Sequence, residues 1–344
     1  MARKYSAKKR MSKIEPAQLT LTFATASIPA GPTVSNYIDL SQVASLVNRR
    51  FYRQGINWAV AGMKLITPAG FVGQVAVNKL PNTWVMSNAW EKGFRAWQRM
   101  NKEAMEEAAS VRPRFLDFKV YADFKHAQLG VNANLLPVSV GDHLVASLAT
   151  AGEWKMSTYN VPDPTAASYG VYEREIIATG LSYPGSGASG INSVSLIEGY
   201  AASRGLPNVL DPNVPDDAAD ADGVTPENWM SALFNDGTEQ DADTLEDLIT
   251  ENNIAPYPFE NDGVNTDTMY PGGANQLVGM QIHTIQNVTG TTIGGTTRIK
   301  GGNFPCGLIN IDATNTGTTG NLVIEIDLVP GNHRGYLCEP MTEM

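Results

Sequence analysis

Six cations fall within eleven residues near the N-terminus: Arg3, Lys4, Lys8, Lys9, Arg10 and Lys13, with no acid between them. Positive charge at that density neutralises a polyanion, and nucleic-acid phosphate is the commonest one. The same run fits a nuclear localisation signal, and a charged solubilising tail is the plain alternative. A second basic group, NRRFYRQ at residues 48–54, interleaves Arg49, Arg50 and Arg53 with Phe51 and Tyr52. Arginine neutralises phosphate, and an aromatic face stacks on an unpaired base. The competing reading is a helix end whose aromatics enter the core. A third set, Lys92, Arg95, Arg99 and Lys102, has Glu91, Glu103 and Glu106 at four-residue spacings. That pattern reads as a solvated, ion-paired helix face.

Signals for catalysis or metal binding are weak. His126, His143, His283 and His333 are scattered, and neither H-E-x-x-H nor G-x-S-x-G occurs. Cys306 and Cys338 match no metal spacing and read as reduced thiols of an intracellular product. GSGASG at 185–190 satisfies G-x-G-x-x-G but lacks the βαβ unit that a dinucleotide site needs, so it reads as a flexible loop. DAADADG at 217–223 hints at a calcium loop. With Gly223 as its sixth position, the first would be Ala218 and the twelfth Trp229, and neither can ligate calcium through its side chain. No catalytic residue, metal or cofactor is therefore assigned; loose cation binding by the acidic region stays open.

The charge is distributed unevenly. The 344 residues carry a formal net charge of −10. Residues 1–125 hold 19 Lys/Arg against 8 Asp/Glu, and residues 126–344 hold 6 against 27. No Lys or Arg lies between Arg204 and Arg298. This asymmetry predicts a basic surface for a polyanion and a separate acidic surface for solvent. The hydrophobic fraction, 42%, suffices for a sizeable core. No apolar run approaches the length of a membrane span, and the basic N-terminus lacks the apolar stretch of a secretory signal.

Residues 1–15 have no periodicity and are expected to be disordered when free. In residues 18–27, Leu19, Leu21 and Phe23 alternate with Thr20, Thr22 and Ala24, the pattern of a half-buried strand. Residues 39–55 read as a helix, with Asp39 as N-cap, Gln42 at the capping-box position and Gly55 as C-cap. Residues 56–68 form the next strand, closed by Pro68. The clearest helix spans 88–113, where Trp90, Phe94, Trp97, Met105 and Ala108 recur near helical period.

Short β-rich runs follow at 114–124, 143–150, 153–161 and 174–183, then a helix at 191–205. Two acidic helices, at 225–237 and 242–252, lie in a stretch rich in Asp, Asn and Pro that reads as a solvent-projecting insertion. Strands return after residue 275. In the last, Leu322, Ile324, Ile326 and Leu328 alternate with Val323, Glu325, Asp327 and Val329. The total is about eight to ten strands with irregular connections. The expected fold is all-β: a single jelly roll, a two-sheet Greek-key sandwich with helical loop insertions. The basic arm covers 1–16, and the jelly-roll domain 17–344, with an acidic, partly helical insertion at about 190–270.

The stretch RRFYRQGINWAVAGMKLITP, residues 49–68, resembles the early part of capsid proteins from circular Rep-encoding single-stranded DNA viruses. Phe51, Tyr52, Arg53, Ile56, Val60 and Pro68 occupy comparable places. A basic arm before the first strand, Thr/Asn/Gly-rich turns and a final alternating strand are similar too. The arm is shorter and less arginine-rich than in many such proteins, and the acidic insertion has no counterpart. The resemblance implies a subunit that assembles with other copies of itself into a small icosahedral shell around single-stranded DNA. The arm would lie inside, in a virion assembled in the host nucleus, with no catalysis, no membrane and no receptor assigned. The alternative from a different class is a carbohydrate-binding or hydrolytic β-sandwich, with Trp84, Trp90 and Trp154 lining a cleft.

Overall fold

A computed structural model describes residues 16–107, 110, 116–142, 145–163, 170–182, 193–204, 279–289 and 295–344. The chain enters through β1 (Thr20–Ala24) and β2 (Thr33–Asp39), turns through α1 (Leu40–Asn48), and returns as β3 (Ile56–Ile66) and β4 (Gly73–Lys79). A long excursion carries α2 (Trp84–Glu107), α3 (Phe124–Leu129), β5 (Val138–Asp142), β6 (Val145–Leu148), β7 (Thr158–Asp163), β8 (Gly170–Ile177), β9 (Ser193–Ser195) and α4 (Leu196–Arg204). It ends at β10 (Gln281–Val288), which leads to β11 (Thr296–Phe304), β12 (Leu308–Asn315) and β13 (Val323–Leu328). Three short strands close the chain: β14 (Pro330–Gly331), β15 (Gly335–Tyr336) and β16 (Cys338–Pro340).

Eight strands make two antiparallel sheets, ordered β1-β13-β3-β11 and β2-β12-β4-β10. Counting only these eight along the chain, the orders are first–eighth–third–sixth and second–seventh–fourth–fifth. That interleaving is the jelly roll, two nested Greek keys. The protein is an all-β jelly-roll sandwich whose helices ride on its connections.

The inner faces follow from alternation. In β13, Ile324 and Ile326 are fully buried while Glu325 and Asp327 point outward, where both meet Lys64 of β3. Leu21, Phe23, Leu65 and Ile299 join them from one sheet, and Val75, Val77, Ile309 and Ile311 from the other. Each such side chain stabilises the fold by roughly 1.5–3 kcal/mol on burial. In β3 the buried apolar positions are Ile56, Trp58, Val60, Met63 and Leu65, so the alternation slips once. The pairing with β13 passes from Asp327↔Gly62 to Leu328↔Val60, which leaves Ala61 as the extra residue of a bulge. Beyond the bulge, β16 takes over β3, pairing Cys338 with Trp58.

The two ends of the sandwich differ. Short connections gather at one end, tied by Ile28 N to Gly320 O, Thr67 N to Gly295 O and Thr316 N to Val72 O. The other end carries α1, the excursion, the 3-10 turn Pro305–Gly307 and the entry to β1. There a second core joins Trp90 and Trp97 of α2, Phe118, Tyr159, Ile176, Val194, Leu196 and Ile197 to Cys306 and Leu308 of the sandwich. The excursion's described part is thus docked on the sandwich through apolar contact.

Several local expectations change. Helix α1 stops at Asn48, not Gly55, because Arg49 adopts a left-handed conformation (φ 55°) as C-cap. Gly55 serves another purpose: a Cβ there would lie 2.4 Å from Cζ2 of Trp90. Residues 116–120 are extended but outside any ladder. Their backbone is met by side chains instead: Val120 N donates to Gln54 Oε1 (2.7 Å) and Lys119 N to Ser157 Oγ (3.0 Å). Ser193–Ser195 is a parallel strand on β8, not the first turn of a helix. The glycine-rich stretch 185–190, the acidic motif 217–223, the two acidic helices and the insertion beyond residue 204 lie outside the described residues.

Candidate nucleic-acid interface

The six arm cations, Arg3, Lys4, Lys8, Lys9, Arg10 and Lys13, lie outside the described residues. The place where the arm joins the sandwich is described. Arg50 Nη1 donates to the carbonyl of Pro16 (3.4 Å), and Gln18 N donates to Asn48 Oδ1 (3.1 Å). The arm therefore leaves beside the C-terminus of α1, where Arg49, Arg50 and Arg53 follow one another.

These arginines are placed by the end of the helix. Arg49, at the left-handed cap, is exposed. The exposed Arg53 donates through Nη1 to the carbonyl of Leu116, and its guanidinium lies 5.8 Å from the centre of the Phe51 ring. The two aromatics divide. Tyr52 is fully buried; its ring packs on Trp58 and Tyr336, and its hydroxyl donates to the Arg334 carbonyl (2.9 Å). Phe51 stays half-buried at the surface. The core reading therefore holds for Tyr52, and the surface reading for Phe51.

Phe51 forms one wall of a cavity of about 350 Å³, shared with Gln42, Leu46, Lys119, Glu153 and Trp154. The Phe51 and Trp154 rings stand 6.3 Å apart at 54°. Lys119 Nζ lies 4.8 Å from the Trp154 ring centre and 5.8 Å from that of Phe51, within cation–π range of both. The same ammonium sits 3.7 Å from Asp117. Burial raises the pKa of that carboxyl, while Lys119 pulls it the other way.

Beneath the cavity, Asp39 anchors the local fold. Its Oδ1 accepts from the amides of Ser41 (2.9 Å) and Gln42 (3.3 Å), the N-cap expected from sequence. Its Oδ2 accepts from Gln54 Nε2 (3.0 Å) and Trp154 Nε1 (3.2 Å). Asp39 is wholly buried, and burial raises its pKa to about 6. One carboxylate thus starts α1, holds the following loop and orients the cavity's tryptophan.

The side chain of Gln42 does not complete a capping box. Its Oε1 accepts from Asn134 Nδ2 (3.0 Å). Asn134 Oδ1 lies 2.7 Å from His126 Nε2, and His126 Nδ1 accepts from the Ala122 amide (3.1 Å). Burial lowers the pKa of His126 to about 4, so the ring is neutral, and it stacks on Tyr37 at 4.3 Å.

The other expected groups are accounted for differently. On α2, Arg95 pairs with Glu91 and Lys102 with Glu106, the solvated face that the spacing suggests. Burial lowers the pKa of Lys92 to about 8. Trp84 and Trp90 pack in or against the second core, so they do not line one cleft with Trp154. His283 and His333 sit on separate elements; His143 lies outside the described residues. Among the described residues, no cluster of His, Cys, Asp or Glu is placed to hold a metal ion, and no helix is long and apolar enough to cross a membrane. Cys306 and Cys338 are free thiols. Lys119 carried no sequence signal, and Gln42 carried only that of a helix cap; the cavity joins residues 42–51, 119 and 151–154, which are distant in sequence. No family model, no curated protein and no solved structure matches this chain.

Proposed function

We propose that the chain is the subunit of a closed protein shell, assembled from copies of itself around single-stranded DNA. Its role is structural, not catalytic. DNA is held by the basic arm and by Arg49, Arg50 and Arg53 at its root, in a virion assembled in the host nucleus. The observation that carries this reading is the hydrogen bond from Arg50 to Pro16, on a jelly-roll sandwich. It sets Pro16, the residue at which the basic arm ends, beside the second basic cluster, Arg49, Arg50 and Arg53. Jelly rolls build capsids but also lectins and cupins, so fold alone does not choose. The charge distribution supports the polyanion: basic residues concentrate in the first 125, and the rest of the chain is strongly acidic.

A second reading, a carbohydrate-binding sandwich, has one observation in its favour: Trp154 and Phe51 wall a cavity. Electron microscopy of the purified protein, with and without single-stranded DNA, separates the two. Uniform closed particles are the expected result. A monodisperse monomer under every condition would overturn the shell. A chain beginning at Ile14 should still form oligomers, because broad contacts between sandwiches, not six mutually repelling cations, would hold the shell.

A further inference from the structure

We propose that the cavity between Phe51, Trp154 and Lys119 is a pocket for one unpaired nucleobase, a hydrogen-bond acceptor of which meets the amide of Gln42. This rests on the reading of the chain as a binder of single-stranded DNA.

The floor of the cavity supplies the reason. Gln42 is 1% exposed, lines the cavity, and has a side-chain Nε2 without a hydrogen-bond partner. Its orientation is dictated by a chain of bonds. The Ala122 amide can only donate, so His126 Nδ1 is the acceptor. The neutral ring then carries its proton on Nε2 and donates to Asn134 Oδ1. That leaves Asn134 Nδ2 to donate to Gln42 Oε1. The amide of Gln42 cannot flip without breaking this relay, so the group left over is a donor. A buried donor without an acceptor costs free energy, and because Gln42 lines a ligand-sized cavity, a ligand acceptor that reaches its amide would relieve that cost.

The walls define the rest of the ligand. Rings at 54° cannot sandwich a flat group; a base stacks on one and meets the other edge-on. The exposed Arg53, close to the Phe51 ring, places a cation where the sugar–phosphate backbone would run, while Lys119, paired with Asp117, holds its charge over the two aromatic rings. Phe51 directly follows Arg50, whose guanidinium meets the Pro16 carbonyl, so the cavity lies close to the point where the arm joins the sandwich. Every base presents an acceptor that Gln42 can meet, an exocyclic carbonyl oxygen in thymine, guanine and cytosine and a ring nitrogen in adenine, so the pocket tolerates any base. A neutral sugar uses the aromatic wall but gives Arg53 no phosphate to meet.

The test uses the full chain with all six arm cations changed to Gln, so that arm binding does not mask the pocket. Labelled (dT)6, (dA)6 and an abasic hexamer of equal charge are titrated by fluorescence anisotropy at fixed salt. Both (dT)6 and (dA)6 are expected to bind more tightly than the abasic strand. Phe51→Leu keeps apolar volume but removes the π-face; it should weaken (dT)6 by about tenfold and leave the abasic strand unchanged. Gln42→Glu replaces the donor with an acceptor and should bring (dT)6 and (dA)6 down towards the abasic strand. Circular dichroism confirms folding of each variant. Equal binding of (dT)6 and the abasic strand overturns the pocket, as does an unaffected Phe51→Leu variant or tighter binding of a maltohexaose probe. Closed particles without base-dependent binding defeat the pocket and leave the shell standing. Base-dependent binding without particles does the reverse.

Discussion

Arg50 donates to the carbonyl of Pro16, and this contact places the root of the N-terminal arm against the end of α1. At 3.4 Å, on the surface, the bond itself is worth little. Its significance is positional: Pro16, where the arm ends, lies beside Arg49, Arg50 and Arg53, which on the proposed reading would share a polyanion with the arm.

The arm should dominate the salt dependence of DNA binding. On a single strand, log K falls with log salt at about −0.7 per phosphate contact, so six engaged cations give a slope of roughly −4. Changing Arg3, Lys4, Lys8, Lys9, Arg10 and Lys13 to Gln should remove most of it, with the fold intact. Titration of labelled single-stranded DNA at several salt concentrations measures the slope. An unchanged slope in that variant would reduce the arm to a targeting or solubilising tail.

Arg49 separates binding from stability. It occupies a left-handed cap (φ 55°), a conformation that costs a non-glycine residue roughly 1–2 kcal/mol. Arg49→Gly relieves this but loosens the unfolded chain by roughly 0.5–1 kcal/mol, so stability should hold or rise slightly. If Arg49 contacts phosphate, the salt slope should shrink by about 0.7. A clear fall in urea midpoint would mean that its side chain, not its charge, is what the site needs.

Legibility in the sequence followed how local each constraint is. In β13 one face meets the core and the other meets solvent, so Ile324 and Ile326 announce themselves by alternation. In β3 the bulge at Ala61 shifts the phase between Val60 and Met63, a long-range effect of pairing that no local period records. Residues 116–120 looked like strand because buried extended chain and ladder strand share a composition; only the bonds from Val120 and Lys119 to side chains tell them apart. The arm and the arginines were legible as charge. The cavity was not, because Gln42, Lys119 and Trp154 meet only after the excursion folds back on α1.

Gly55 tests one such misreading. As a helix cap it would tolerate few side chains for reasons of backbone conformation. Here the limit is contact, since a Cβ would lie 2.4 and 2.6 Å from two atoms of the buried Trp90 ring. Gly55→Ala should destabilise by roughly 1–3 kcal/mol, the usual cost of overpacking. The double variant Gly55→Ala, Trp90→Phe should recover part of this relative to Trp90→Phe alone, as read by urea midpoints. Additive losses would place the strain elsewhere.

Asp39 and His126 should give opposite pH signatures. Burial raises the carboxyl of Asp39 from 3.8 to about 6, outweighing the four hydrogen bonds that favour its charged form. Between those values the folded chain holds more proton than the unfolded one. Its contribution is therefore greatest below pH 3.8 and declines as pH rises to about 6. Burial lowers His126 from 6.5 to about 4, so the folded chain holds fewer protons in that window. Its contribution is fully present above 6.5 and is lost as pH falls towards about 4. Asp39→Asn turns an amide N–H₂ towards the donors of Gln54 or Trp154 and should cost roughly 2–4 kcal/mol at neutral pH. Relative to wild type, its deficit should grow at about pH 4.5, whereas that of His126→Gln should shrink. Urea midpoints at the two pH values decide it. A deficit that moves the same way for both variants would mean that burial does not set these two protonation states, and the relay from His126 through Asn134 to Gln42 would lose its fixed direction.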